Sequence, residues 1–584
     1  MRLITAVFLG CLLFSFSAST APLSQDKAIR KVRPLKKEIR KGKPFTKRWR
    51  PTLLPQKKLF MITDRNWQDV LSLVPIVTKK GTFGGRLRYA MIVYHPERTP
   101  SLQRPIARFI DDFEPFKIYT FGEIPSSIFE EADFDLDDVE AKTVSEYLDS
   151  WSGYSTVIYV ENNYSLALLA SSYAALREAP LIVVGSALDR PNRMEGKNVV
   201  RVGTVSCPSG AASCEGPFSA NEISRDYVTR SGTNKIILVN SNDLNQTTKV
   251  SLVAPILAAG RKEVLLSTTS TDHLVIDSYL NDMFGYLGFR SGYLTILAHP
   301  SYVPMKTNVT IRSESRERRG EYIDHDYPVD VDNRFYGTPG ENLMGPVEFA
   351  VGRIFGKGSS LYVARSLFFG ELPRAHERAL FATLSSEEET DDIQTGCGFF
   401  AFCPSPRIWS EETRLAIETA FPEMNFLEGT DTEITEAESL TQEERNELYR
   451  TSHFIYYHGH AGSDGLSSFS IFSPDVTDLS YPFLYLVGCS TCNTDSNPEP
   501  FCARNLQEGA MGLIGTFDDG LNMGYTNGIL RDMYLNGLPM GEVIKNVKNS
   551  RACTERFDTC IYEGRAGNMR QILIGDPLLQ AKWW

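Results

Sequence analysis

The chain has 584 residues, 42% of them apolar and 23% charged, with a formal net charge of −11. This composition excludes a chain too polar to bury a core, and the length predicts roughly three or four domains. Past residue 21 no stretch approaches the roughly 18 consecutive apolar residues of a spanning helix, so no transmembrane anchor is expected.

Residues 1–20 read as a signal peptide. Arg2 precedes an apolar run, Val7 to Phe16, and small residues at 17–21 offer a cleavage point. A basic linker or pro-segment follows at 21–52. Within 27–50 lie twelve Lys or Arg against the single acid Glu38, a net +11, which leaves −22 for the rest. Such a block is a solvated tail, or an arm for an anionic surface.

Alternating strand and helix patterns then begin. Leu59–Ile62 reads as a strand and Trp67–Val77 as a helix. Leu87–Tyr94 and Thr156–Val160 are strands, Leu166–Leu176 a helix, Leu181–Val184 a strand. Lys235–Val239, helical Val250–Ala259 and Val264–Leu266 repeat the unit. This alternation predicts an α/β protein with doubly wound, mostly parallel sheets. The repeated units faintly resemble the cell-wall-binding repeats of bacterial surface proteins. Residues 312–345, rich in acids and Gly, read as a long loop. Strands are predicted at Glu348–Phe355 and Arg378–Leu384, and helices at Leu361–Leu367, Glu411–Phe421 and Gly541–Asn549. An extra α/β domain is thus expected at 55–230, ahead of a second unit at 232–584.

In that second unit two apolar runs end abruptly: Phe454-Ile455-Tyr456-Tyr457-His458-Gly459 and Phe483-Leu484-Tyr485-Leu486-Val487-Gly488-Cys489. Continuous apolar runs read as strands of a buried parallel sheet, and ligands bind at the carboxyl ends of such strands. His458 and Cys489 would emerge there side by side. A cysteine nucleophile works as its thiolate, and a neighbouring imidazole can take the thiol proton and return it to a leaving amine. The backbone N–H groups of Gly459 and Cys489 are candidates for the oxyanion hole.

The cysteines fit that reading. Past the signal there are nine, and local pairing would join 207 with 214, 397 with 403, 492 with 502 and 553 with 560, leaving Cys489. An odd thiol in an exported protein points to reactivity or intermolecular pairing. Asn163, Asn245 and Asn308 begin glycosylation sequons, in keeping with an exported surface.

The His-Gly and Gly-Cys pair resembles the catalytic signature of the caspase-like clan of cysteine peptidases. Further segments narrow the resemblance to the gingipain family. They are Tyr293 to Pro304, Asp332 to Tyr336, Val351-Gly352-Arg353-Ile354, Phe501-Cys502, Gly509 to Thr516 and Gly575-Asp576-Pro577. In order they cover about 232–584. The resemblance implies a caspase/gingipain-like catalytic unit, with Cys489 as nucleophile, His458 as its general acid/base, and protein or peptide substrates. It nominates Glu387, in the acidic loop after Arg378–Leu384, as third catalytic residue. It admits structural calcium, for which no loop spells a ligand set. The best-known members cut after Arg or Lys with an acidic pocket residue, which has no clear counterpart near Arg407-Ile408-Trp409. The expected protein is a secreted or cell-surface cysteine endopeptidase, without nucleic acid partners.

Other readings of the same residues stay open. His458 and His460 with Cys489 and Cys492 have zinc-ligand spacings, and Cys489-x-x-Cys492 is also a redox spacing. A non-catalytic surface-binding protein on a peptidase-like fold would use the repeats and the basic arm instead.

Overall fold

Two small sheets and one large one organise the chain. The computed structural model describes residues 57–83, 86–87, 89–96, 99–151, 153–245, 249–314, 322–330, 332, 336–338, 346–369, 372, 378–384, 411–429, 435–517, 526–549 and 570–581. The signal peptide, the basic arm, Glu387 and the cysteines at 397, 403, 553 and 560 lie outside the described residues.

The first sheet comprises β1 (Lys58–Thr63), β2 (Tyr89–Tyr94), β3 (Lys117–Phe121) and β4 (Val139–Ala141), in the spatial order β2-β1-β3-β4, all parallel. The second comprises β5 (Thr156–Val160), β6 (Leu181–Val183), β7 (Asn198–Val202) and β8 (Ser213–Phe218), in the order β8-β7-β5-β6, again parallel. Helix Tyr164–Leu176 starts where the Asn163 side chain accepts the Leu166 N–H, at 3.1 Å. Helix Ala220–Ser231, opened by a Ser219–Glu222 capping box, leads out of the second sheet. Asn163 and Asn245, the described sequon side chains, are exposed.

The large sheet has ten strands: β9 (Lys235–Asn240), β10 (Val264–Thr268), β11 (Gly292–Leu297), β12 (Phe349–Ile354), β13 (Arg378–Leu384), β14 (Glu423–Gly429), β15 (Phe454–His458), β16 (Phe483–Val487), β17 (Gly512–Thr516) and β18 (Gln571–Gly575). Their order is β10-β9-β11-β12-β18-β17-β16-β15-β13-β14. The four strands β9–β12 are mutually parallel, as are β13–β17. The last strand runs antiparallel to β17 and meets β12 at one pairing, Arg353 with Ile574. All five residues of β15, β16 and β17 are buried, as parallel strands covered on both faces require.

Two expectations need correction. Part of the segment read as a loop at 312–345 is a β-hairpin, Lys306–Glu314 paired with Tyr322–Asp330. Acids and glycines suggested a loop, but the Thr-x-Val-x-Ile-x alternation of 307–311 has the period of a strand. And Cys492 and Cys502 are not bridged: both are free, buried thiols, and burial, then the neighbouring Cys492, push the Cys502 thiol well up. Their sulfurs meet in the interior, closed off from solvent. The disulfide among the described residues is Cys207–Cys214.

The terminal Gly-Asp-Pro has a structural task. Asp576 is buried; its Oδ2 accepts from Arg261 Nη2 at 2.9 Å and from Ser366 Oγ at 2.5 Å. Its own N–H donates to Tyr362 Oη at 2.7 Å. One carboxylate thereby fastens the end of β18 to helices Ala254–Arg261 and Ser359–Phe368. The first sheet packs onto the latter helix too, Val93 N–H donating to Ser360 Oγ at 2.7 Å, and Phe113 of helix Thr99–Phe113 lies edge-on to Phe368 at 4.9 Å.

Candidate active site

His458 is the last residue of β15 and pairs in register with Val487, the last of β16. Cys489 therefore leaves the neighbouring strand two residues past His458's partner, and adjacent strands lie only about 4.8 Å apart. Two glycines permit the close approach. A Cβ on Gly459 would sit 2.7 Å from Tyr457 Oη, and one on Gly488 would sit 2.6 Å from Ala461 Cβ. The His-Gly and Gly-Cys junctions are thus steric requirements of the site.

The turn after Cys489 is held from below. Thr516 Oγ1 donates to the Gly488 carbonyl, and Thr516 N–H donates to Thr491 Oγ1 at 3.2 Å. Cys492 N–H donates to Thr516 O at 2.7 Å, and Cys502 N–H to Thr491 O at 3.1 Å. Ser490, directly after the candidate nucleophile, is left-handed at φ 56°. A non-glycine residue there costs about 1–2 kcal/mol, and such outliers persist where surroundings over-determine them.

On the β15 side the main chain of His460 is equally fixed. Its carbonyl accepts from Tyr457 Oη and from Ser467 Oγ at 2.8 Å, and its N–H donates to Ser468 Oγ at 3.0 Å. Its side chain is exposed, whereas His458 is only 9% exposed. Burial, then the charge of His460, push the His458 pKa down to about 4. At neutral pH His458 is an uncharged imidazole, the form that accepts a thiol proton. His453, at the amino end of β15, is also pushed down to about 4 by burial and by Arg378, far along the strand from the chemistry.

A pH expectation follows from His458. Above about pH 4 the imidazole is neutral, and below it the base is lost, so kcat/KM should fall as pH drops through that value. The sign for stability is the same for both histidines. Their folded pKa lies below the ordinary 6.5, so their contribution is present above that value and fades as pH falls towards 4. A pH–rate profile at a substrate concentration well below KM checks the first statement; an acid limb centred near 6.5 would contradict it.

The Gly459 N–H donates to the Val487 carbonyl at 3.0 Å, so serving an oxyanion would require that bond to be exchanged as substrate arrives. Among the described residues no three His, Cys, Asp or Glu side chains converge as a metal-ligand set. His458, His460, Cys489 and Cys492 therefore do not assemble into the zinc site that their spacings allow.

Two features of the site escape a linear reading. Asp332 and Arg353, seen in sequence as separate motif segments, form one buried ion pair. Arg353 Nε donates to Asp332 Oδ2 at 2.8 Å and Nη2 to Oδ1 at 2.5 Å. The remaining guanidinium donors reach the carbonyls of Ala298 at 3.2 Å, Val303 at 2.7 Å and Pro304 at 3.2 Å. The other feature is His299, just past β11, whose Nε2 lies 3.1 Å from the carbonyl of Pro498 in the loop that follows Cys489. The signal in the sequence was its place at a strand's carboxyl end, the same signal that marked His458.

Comparison with known proteins adds one match. Residues 290–582, just over half of the chain, match the family model described as Peptidase family C25. No curated protein matches the chain. The matched stretch contains β11 to β18, His458, Cys489, Asp332, Arg353 and His299.

Proposed function

From the premise that the chain belongs to peptidase family C25, the gingipain family of cysteine peptidases, we propose that it is an exported endopeptidase with Cys489 as nucleophile and His458 as general acid/base. The observation that carries this reading is the register of β15 against β16, which brings His458 and Cys489 out of neighbouring buried strands.

The chemistry runs through these two side chains. Neutral His458 takes the Cys489 proton as the sulfur attacks the scissile carbonyl carbon. The tetrahedral oxyanion is met by the Cys489 N–H, joined by Gly459 N–H once its bond to Val487 O is exchanged. Collapse breaks the C–N bond, and the imidazolium gives its proton to the leaving amine. Water, deprotonated by the same imidazole, then attacks the thioester and releases the acid. Glu387, outside the described residues, remains a proposal for the third residue.

Incubating the purified protein with a peptide library, with and without prior thiol alkylation, tests the reading and reports the residue preferred at the cleavage point. Cleavage that survives complete alkylation of Cys489 would sink it.

The N-terminal basic segment fits the same scheme. If the enzyme cuts after Arg or Lys, 27–50 offers many cleavage points in a strongly charged stretch. We expect the arm to be removed by the enzyme itself. N-terminal sequencing of the exported wild type and of Cys489→Ala decides: different N-termini support self-processing, while identical ones near residue 21 refute it. In the latter case the arm is a tether to an anionic surface, with binding that weakens as salt is added. Among the described residues no helix is long and apolar enough to cross a membrane.

A further inference from the structure

The loop from Cys489 to Pro500 is gripped from the segments that follow β11 and β12. Lys306 Nζ lies 2.7 Å from Asp495 Oδ2, and Lys357 Nζ lies 2.7 Å from Glu499 Oε2. Both pairs are open to water, with Asp495 70% and Lys357 40% exposed. Exposed ion pairs of this kind are worth about 0–1 kcal/mol. The third contact, from His299 to Pro498, is of another kind.

The protonation of His299 can be read from its partners. The Ser301 N–H points at Nδ1 from 3.2 Å, and Ser301 Oγ lies 2.7 Å from the same nitrogen. An N–H can only donate, so Nδ1 is the acceptor and the ring proton sits on Nε2. There it donates to the Pro498 carbonyl, which can only accept. The ring is partly buried, with Phe355 edge-on at 5.8 Å. The charged groups facing it are Arg353, which disfavours a second proton, and Glu499, which favours one; burial disfavours it most, and the balance lowers the pKa. The loop carrying His299 is itself fixed by the Arg353 donors to Ala298, Val303 and Pro304.

We propose that His299 is a positioning residue of this peptidase: as the neutral Nε2–H tautomer it holds the Pro498 carbonyl and so sets where the Cys489 turn stands relative to His458. This rests on the reading of Cys489 as nucleophile. A misplacement of about 1 Å at a reacting group can cost 10²-fold in rate, so a single well-aimed hydrogen bond to this loop matters more to turnover than to stability.

The test compares three substitutions. His299→Gln keeps an amide donor at nearly the place of Nε2. His299→Asn keeps a polar group only near Nδ1, and His299→Ala keeps neither. For Ala and Asn we expect kcat to fall by about 10-fold or more, with KM within about twofold and an unchanged melting temperature. Gln should stay within about threefold of wild type, and Lys306→Ala, which cuts only an exposed pair, within about twofold. A second readout needs no turnover: the rate at which iodoacetamide alkylates Cys489 in the native protein, followed by peptide mass mapping, should change in Ala and Asn and be restored in Gln. Gln behaving like Ala and Asn in both readouts, or Ala behaving like wild type, overturns the proposal. Should Ala unfold, the Gln and Asn pair still decides. If the wild type cleaves nothing, the peptidase reading fails, while the alkylation rates still judge the clamp.

Discussion

Cys489→Ala should abolish peptide hydrolysis while leaving the protein folded. The thiol sits two residues past a fully buried strand, on a turn held by bonds among Thr491, Thr516, Cys492 and Cys502 that do not involve its sulfur. Removing one sulfur atom from a partly exposed position opens no large cavity. The chemical consequence is total for a covalent mechanism: a loss of at least about 10³-fold in kcat/KM, or about 4 kcal/mol of barrier. Nucleophile and base act as a unit, so His458→Ala should cost a comparable amount and the double variant little more. His460→Ala should cost far less, because His460 is an exposed residue past the end of β15 and its main-chain bonds survive the substitution. Steady-state kinetics on a cleaved library peptide, with circular dichroism as the folding control, measures all four. Activity in folded Cys489→Ala within tenfold of wild type is the failing result.

The second large effect concerns stability. Arg353 is wholly buried and Asp332 nearly so. All five guanidinium N–H donors are used, two on the carboxylate and three on carbonyls of the 298–304 loop. Arg353→Met leaves Asp332 and those carbonyls buried without the partner, and breaking a buried pair in this way costs about 3–5 kcal/mol. Arg353→Lys should be nearly as damaging, since an ammonium cannot reproduce the fork. Replacing both members, Arg353→Met with Asp332→Leu, should recover only part of the loss, because the stranded carbonyls remain. Urea unfolding reads the series. A single Arg353→Met variant as stable as wild type would show that water or rearrangement satisfies the site.

These effects also separate what a linear reading reaches from what it misses. Strands β15 and β16 were legible because they are unbroken apolar runs with sharp ends, and the candidate pair was legible because His458 closes one of those runs and Cys489 follows the other. Helix Thr99–Phe113 was not, since Pro105 lies inside it and its polar residues interrupt the pattern. Strand β14, Glu-Met-Asn-Phe-Leu-Glu-Gly, escaped for the reason that it is an edge: only one side is paired, and it carries polar residues that a central strand would not. The Asp332–Arg353 pair and the His299–Pro498 bond join residues 21 and 199 positions apart. No periodicity encodes such contacts; they exist only once the sheet has brought strand ends together. The dithiol of Cys492 and Cys502 illustrates the converse: cysteine arithmetic placed the two residues together, but adjacency alone did not determine whether the sulfurs bond.

The nucleophile itself can be read by incubating the purified protein with peptidyl ketone electrophiles that vary in the residue next to the warhead, followed by peptide mass mapping. The expected result is a single adduct, on Cys489, formed in step with the loss of peptidase activity and strongly slowed in His458→Ala. An adduct on Cys492 or Cys502 with Cys489 unmodified, or full inactivation with no adduct on Cys489, would contradict the assignment of Cys489 and His458 as the catalytic pair.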